Sequence, residues 1–387
     1  MNYKITIIIP FVGKDQAYLA EDALKSILFQ PKINNYKIIV SNNGVDKAGK
    51  KIFKSKLYKN KINYIEPPKF FNMIDHCNWL ITKVKTKYFM ILPARRMLKF
   101  GALNEFIKVM DNNPDCQICC SSYCHWEEDL NCLISHKIQG KNGLISTKKI
   151  IQKFINGDYS SRQEFWSYLP TTMNGIVRTD FVNNLRKLYS KDFYEKLSPD
   201  VSAAFKCLFN TTKIYRITKS QFQISNRNSS NSFQGLSRFD LSYIKSIKFT
   251  FSFIPEQLQW CIYSGIFEDF CRQSLFYNDY KRKTIKSYEL NKFILQQSTI
   301  EIFFKTFNNF PSKKRIGVFF NCIKVLFQNN LSFLSFIKSI FFMISYLSYY
   351  NSPILIKKIL LKVRGNYFYY NNKYEAANFL NKETIKS

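Results

Sequence analysis

Two adjacent arginines, Arg95 and Arg96, are the residues of this chain best suited to handling an anion. They end the turn of KYFMILPARRMLKFGAL, residues 87–103, which reads as a buried strand from Tyr88 to Leu92, a tight turn from Pro93 to Arg96 and a helix opened by Gly101. A guanidinium fork fits phosphate oxygens bidentately and keeps its charge near neutral pH. In parallel α/β sheets ligands gather at the carboxyl ends of the strands, which is where this turn falls. Further on, SPDVSAAF sets Asp200 behind Ser198 and Pro199. Ser is a good N-cap, Pro suits the first helical position and an acid next is favoured by the helix dipole, so local physics alone explains this aspartate without chemistry.

A second cluster joins Cys116, Cys119, Cys120, Cys124 and Cys132 to His125 and His136. One C-x-x-C raises zinc, but no second pair follows at the usual distance, and Ile118, Cys120, Ser122 and Cys124 alternate like one face of a strand. Core packing is the better reading, and no metal ligand is assigned.

The elements that must position these groups come from hydrophobic periodicity. Ile5 to Ile9 is a β-branched run of the kind buried on both faces of a parallel sheet. A helix follows over 17–29, then strands over 36–41 and 62–65, a helix carrying Ile74, Cys77, Ile81 and Val84, the strand before the arginines, a helix stopped at Asn112-Asn113-Pro114, and a strand over 117–124. Strand and helix alternating with short connections predict a doubly wound sheet. No G-x-G-x-x-G follows the first strand and no Walker loop occurs, which argues against a dinucleotide enzyme or a P-loop ATPase.

With 387 residues, 46% hydrophobic, the chain can bury a core of one large or two modest domains, and its 37 Phe and 24 Tyr argue against disorder. Ten irregularly spaced cysteines fit reduced, cytosolic thiols rather than a disulfide framework. The apolar start is too short for a secretory signal. A formal charge of +31 implies an anionic partner, although Lys and Asn enrichment points to an AT-rich genome and hence to some drift. Nucleic acid is not the expected partner, because the aromatic residues follow core periodicity and no binding module is present.

From about residue 236 strand signals fade, glycine becomes scarce and long apolar runs carry interspersed lysines. Glu256 divides the run 249–270 and Lys338 the run 331–349, so neither offers an uninterrupted membrane span. Basic helices rich in Phe, Tyr and Leu are instead expected, lying against an anionic leaflet, or packed on the first half of the chain or on a second subunit. The division is therefore 1–235 for the α/β domain and 236–387 for a mainly α-helical C-terminal region.

Taken in order, ITIIIPFVGKDQAYLAEDALKSILFQ, YKIIVSNNG and ILPARRMLKFGAL resemble the nucleotide-sugar half of a family 2 glycosyltransferase of the GT-A fold. The segment MIDHCNW and, later, TTMNGIVRTDFVNNL with SPDVSAAF resemble one branch of that family, and the resemblance spans roughly residues 3 to 235. It implies a doubly wound mixed sheet flanked by helices. It implies donor binding by Pro10, Phe11 and Val12 after the first strand and by Asn42 and Asn43 after the second, with Asp200 as general base. The activity implied is inverting transfer from a nucleotide sugar to a glycan or lipid-linked acceptor in making bacterial surface polysaccharide or lipopolysaccharide, in the cytoplasm or on the inner face of the membrane. Trp126 and Trp166 are candidate acceptor-stacking residues, with plain packing as the alternative. The polar stretch 226–235, with Arg227, would close over the donor phosphates or serve as a linker.

The departure from the family lies at the turn. Where its Asp-x-Asp metal ligands should stand, this chain has Ala94, Arg95 and Arg96, followed by the family's tail at Leu98, Gly101, Ala102 and Leu103. Mg²⁺ or Mn²⁺ wants oxygen ligands, so no cofactor is expected. Three readings stay open: the arginines neutralise the leaving diphosphate themselves, the protein is a catalytically inactive scaffold or binding relative, or a carboxylate elsewhere, Asp75 foremost, supplies a ligand. A basic membrane-surface or nucleic-acid binder without transferase activity is the reading from outside the family.

Overall fold

The computed structural model describes residues 3–31, 36–44, 47–127, 130–135, 140–189, 192–195, 197–224, 248–259, 261–276, 290–307, 313–351, 367–369 and 373. The first strand is the spine. β1 (Ile5–Phe11) lies between β2 (Tyr36–Asn42) and β4 (Tyr88–Ile91), parallel to both, with Ile8 level with Ile39 and Ile91. β3 (Asn63–Ile65) extends the parallel set beyond β2. Ile5, Ile7, Ile8 and Ile9 have no exposed surface, as a β-branched run covered on both faces requires.

The two faces carry different layers. Ile7, Ile9 and Met90 meet α1 (Gly13–Leu28) and α4 (Ala102–Asn112), whereas Ile8, Phe89 and Ile91 meet α3 (Met73–Ile81) and the helices that come later. The period-two alternation of strand side chains makes this division. α2 (Lys47–Phe53), which hydrophobic spacing does not announce, puts Phe53 5.3 Å from Phe11.

Beyond β4 the sheet turns mixed. β9 (Gly175–Arg178) enters antiparallel between β4 and β6 (Ile118–Glu127), and β10 (Lys213–Ile224) runs parallel along the other side of β6. β5 (Arg96–Leu98) and β8 (Gly143–Ser146) both pair antiparallel with β10, and β7 (Cys132–Ile134) pairs antiparallel with β6. Helices α5 (Thr147–Asn156), α6 (Arg162–Tyr168), α7 (Thr179–Tyr189) and α8 (Pro199–Asn210) fill the intervening chain. The expectation of a strand ending near residue 124 gives way to one reaching Glu127. Arg96, expected in a turn, is also the first residue of a short strand.

A helical C-terminal region follows, as expected: a 3₁₀ turn (Glu256–Leu258), α9 (Ile262–Phe276), α10 (Lys292–Phe307), α11 (Lys313–Gln328) and α12 (Phe333–Asn351). It shares its core with the sheet, since Ile266, Phe270 and Ile302 belong to the same apolar cluster as Ile8 and Ile91. Buried Glu301 caps α9, accepting from Ile262 N at 2.6 Å and Tyr263 N at 3.3 Å. The chain then returns to the sheet, where β11 (Tyr367–Tyr369) pairs with β7 and Lys373 forms an ion pair with Asp22.

One glycine permits the antiparallel insertion. A Cβ on Gly175 would lie 1.9 Å from Cys119 O and 2.7 Å from Cys120 Cα, both backbone atoms that cannot swing away. Gly175→Ala is expected to cost about 3 kcal/mol or more of stability; a urea melt with an unchanged midpoint would refute the close approach.

Candidate active site

β1, β2 and β4 run the same way, so their carboxyl ends share one edge of the sheet, and the turns that follow these three strands leave from it. Pro10 and Phe11, expected after the first strand, are its last two residues, half-buried and buried, and exposed Val12 follows them, its N donating to Gln16 Oε1 at 3.1 Å. Gly13 opens α1 at a left-handed φ of 77°, which only glycine adopts without strain. After β2, Asn42 Nδ2 donates to Tyr64 OH at 3.1 Å while its Oδ1 accepts from Gly44 N at 3.1 Å. Asn43 uses both ends of its amide on the Phe71 main chain, donating to Phe71 O at 2.7 Å and accepting from Phe71 N at 3.1 Å. That clamp fixes the approach to α3. There Asn72 Oδ1 caps the N–H groups of Ile74 and Asp75, and its Nδ2 donates to Asp75 Oδ2 at 2.7 Å, so the exposed Asp75 carboxylate is engaged in a capping exchange. Behind this edge His76 Nε2 bonds Ser41 Oγ at 2.8 Å, and burial brings the imidazole pKa down to about 4.

The arginine turn closes through Arg96 N to Pro93 O at 2.8 Å, with Leu92 N held by Ile8 O at 2.8 Å. Arg96 is half-buried. Its guanidinium carbon stands 5.8 Å from the centre of the Tyr123 ring, its Nη1 donates to Met173 O, and its buried Nε has no hydrogen-bond partner. Residues 171–174 reach the turn because they are tied down on both sides. Ile91 N donates to Thr172 O at 3.1 Å and Ser121 N to Asn174 O at 2.9 Å. Thr172 Oγ1 meets Tyr194 OH at 2.6 Å, and Asn78 of α3 makes two bonds to the Tyr194 main chain. Burial draws the Arg96 pKa down to about 10, helped by neighbouring Arg95 and opposed by Tyr123 and Asp200. Burial lowers Arg95 too, again opposed by Tyr123 and Asp200. Both remain cations at neutral pH.

Asp200 completes the group. It is the second residue of α8, behind Pro199 at the first position, and Val201 N donates to its Oδ1 at 3.1 Å. Ser198 gives no side-chain cap; Ser202 instead donates to Pro199 O and accepts from Glu195 N, pinning the first turn. Burial raises the Asp200 pKa, and Arg96, the local main-chain N–H groups and Arg95 only partly pull it back. Among the described residues Asp200 and Arg96 form no ion pair of 4 Å or less, and both arginines act on the carboxylate through their charge.

Among the remaining flagged residues, Trp166 lies next to the segment that reaches the turn, Asn174 Nδ2 donating to its main-chain O at 3.4 Å. Trp126 is 4% exposed and packs with Cys124 and Leu133. Trp166 is half-buried, edge-on to Phe165 at 5.4 Å. All ten cysteines are free and buried, and the strand thiols serve the core, Cys124 Sγ contacting Phe222 O at 3.3 Å. Among the described residues no group of three or more His, Cys, Asp and Glu is arranged to hold a metal ion. His136 and the stretch 226–235 with Arg227 lie outside the described residues.

Three contributors carry no signal of their own in the sequence: Tyr123, the Met173 carbonyl and Asp269. Asp269 sits on α9 where it packs on α8, is 1% exposed, and leaves Oδ2 without a partner. Burial raises its pKa well above the usual carboxylate range, reinforced by Glu195 and Asp200 and opposed by Arg272. Because the folded pKa lies above the unfolded one, stability is full below pH 3.8 and is lost as the pH rises. Asp269→Asn is therefore expected to raise the melting temperature at pH 8 by about 2 °C or more, with a smaller gain at pH 4. A gain that shrinks with rising pH would contradict a pKa raised by burial.

The sequence matches no family model and no curated relative. Solved structures do match: S. aureus TarS 1-349 in complex with UDP-GlcNAc aligns at a TM-score of 0.50 and 12% identity, covering 84% of this chain and 81% of that one. The same S. aureus protein in complex with UDP aligns at 0.47 and 10%, covering 84% and 91%. Identity this low speaks to architecture alone, and the strand order and helical C-terminal region agree with it: the chain has the GT-A fold.

Proposed function

We propose that this chain is an inverting glycosyltransferase that moves a sugar, a hexose by class, from a nucleotide-sugar donor to a hydroxyl of a glycan or lipid-linked glycan acceptor in bacterial surface polysaccharide or lipopolysaccharide synthesis. The observation that carries it is the meeting, at the carboxyl edge of a GT-A sheet, of two guanidinium groups with one carboxylate whose pKa is raised. The donor class is supported by the fold shared with a protein solved in complex with UDP-GlcNAc.

In this reading Asp200 takes the proton of the acceptor hydroxyl as its oxygen attacks the anomeric carbon. The bond from that carbon to the diphosphate oxygen breaks on the opposite face, and the nucleoside diphosphate leaves with the electron pair. Arg95 and Arg96 neutralise the charge that develops there, and being held by the fold they need no reorganisation to do so. Pro10 to Val12 and Asn42 line the donor side of the same edge, with Asn43 holding the loop beside it. The base gains from its raised pKa, since a stronger base drives proton transfer further as long as it stays ionised.

A divalent cation does not fit the turn. Ala94 offers a methyl group, Arg95 and Arg96 would repel the ion, and Asp75 is engaged with Asn72. No step is assigned to a metal.

Transfer from a UDP-sugar should persist in EDTA, and Arg95→Met and Arg96→Met should each lower kcat/KM by about 10²- to 10³-fold. Abolition by EDTA, or full activity in both variants, would refute arginine catalysis; absence of turnover together with absence of donor binding would favour a scaffold. Asp200→Asn should lower kcat by about 10²- to 10⁴-fold. The base acts deprotonated, so activity falls as the pH drops through its pKa. Arg96→Met removes a charge that holds this pKa down, and the acidic limb of the kcat/KM profile should move to higher pH; a limb that stays put would exclude Asp200 as the titrating group.

A further inference from the structure

We infer that the outer faces of α11 and α12 dock on a lipid bilayer with anionic headgroups. The inner faces of both helices pack on α10, where Phe319 and Phe336 lie 4.8 and 5.8 Å from Phe303. Their outer faces are apolar and open. Ile316 and Phe320 of α11 share a stripe with the exposed Lys324, and on α12 Leu334 and Phe341 share one with the exposed Lys338, flanked by Phe333 and Ile344. Phe320, Leu334 and Phe341 are each more than 60% exposed, which is unusual for large apolar side chains recurring along one face.

Charge decides the occupant. Between residues 302 and 374 the chain has eleven Lys and Arg and no Asp or Glu. A second copy would bring two such segments together and meet repulsion, and a purely polar polyanion would leave the phenylalanines in water. An anionic leaflet satisfies both features, with apolar side chains entering the headgroup boundary while lysines stay at the phosphates. No described helix is long and apolar enough to cross the membrane, so the helices lie along the surface. This inference does not depend on the transferase reading.

The test is sedimentation of the full chain with phosphatidylcholine vesicles containing roughly 30% phosphatidylglycerol, against pure phosphatidylcholine. Binding is expected on the anionic vesicles, at least about tenfold weaker on the neutral ones, and largely lost in about 0.5 M NaCl. The pair Phe320→Ser with Phe341→Ser, and independently the surface pair Lys324→Glu with Lys338→Glu, should each weaken it about tenfold with an unchanged melting temperature. The lysine pair keeps the test valid should the phenylalanine pair fail to fold. Equal binding to both vesicle types, no binding, or wild-type binding by the lysine pair would overturn the inference. So would light scattering that shows a dimer dissolved by the phenylalanine pair, because the face would then belong to a second copy.

Discussion

Two arginines and one carboxylate that act on each other's charge while burial opposes all three are the constraint on which the rest of this structure turns. Two neighbouring guanidinium groups repel each other, and burying them makes the repulsion worse; Arg96 is held far enough from water that its pKa falls to about 10. The fold tolerates this because the Tyr123 ring, the Met173 carbonyl and the Asp200 carboxylate offset the charge. Asp200 feels the converse pressure, with burial pushing its proton on while the arginines pull it off.

Holding the two sides in place falls to the elements around them. The arginines are fixed through β4 and β5, whereas Asp200 is fixed through α8, more than a hundred residues later. The two sides are joined by residues 171–174 and by Tyr194, which is clamped between Thr172 and Asn78. Behind α8 stands α9 with Asp269, whose pKa burial raises well above the usual carboxylate range, and α9 in turn is capped by Glu301 from α10. The C-terminal helices thus form the wall against which the helix of the candidate base is set, and they share one apolar core with the sheet.

Much of the parallel half was legible before any coordinates. Ile5 to Ile9 and Tyr88 to Ile91 are apolar runs with a single structural solution, and the helix from Ala102 is bracketed by Gly101 and Asn113-Pro114. The antiparallel half was not. β5 has three residues and no period to read, and its partner β10 lies more than a hundred residues away, so only tertiary pairing reveals it. Arg95, Arg96 and Asp200 could be singled out as candidates because their types and places in an ordered set of motifs suit chemistry. Tyr123 is one aromatic residue among many in an alternating strand, and Asp269 resembles an ordinary acid on a helix until α8 covers it. Trp126 shows the same limit from the other side, since a residue type suited to stacking on a sugar is 4% exposed in the core.

The central claim is that fixed side-chain charge, rather than a bound cation, receives the diphosphate. Its most direct measurement is the thermal shift that UDP produces in the metal-stripped protein, set beside uridine and repeated with Mn²⁺ and with the Arg95→Met, Arg96→Met double variant. Stabilisation by UDP in EDTA is expected, which uridine does not reproduce, Mn²⁺ does not enlarge and the double variant loses. A shift that appears only with Mn²⁺, or that survives removal of both guanidinium groups, would contradict it.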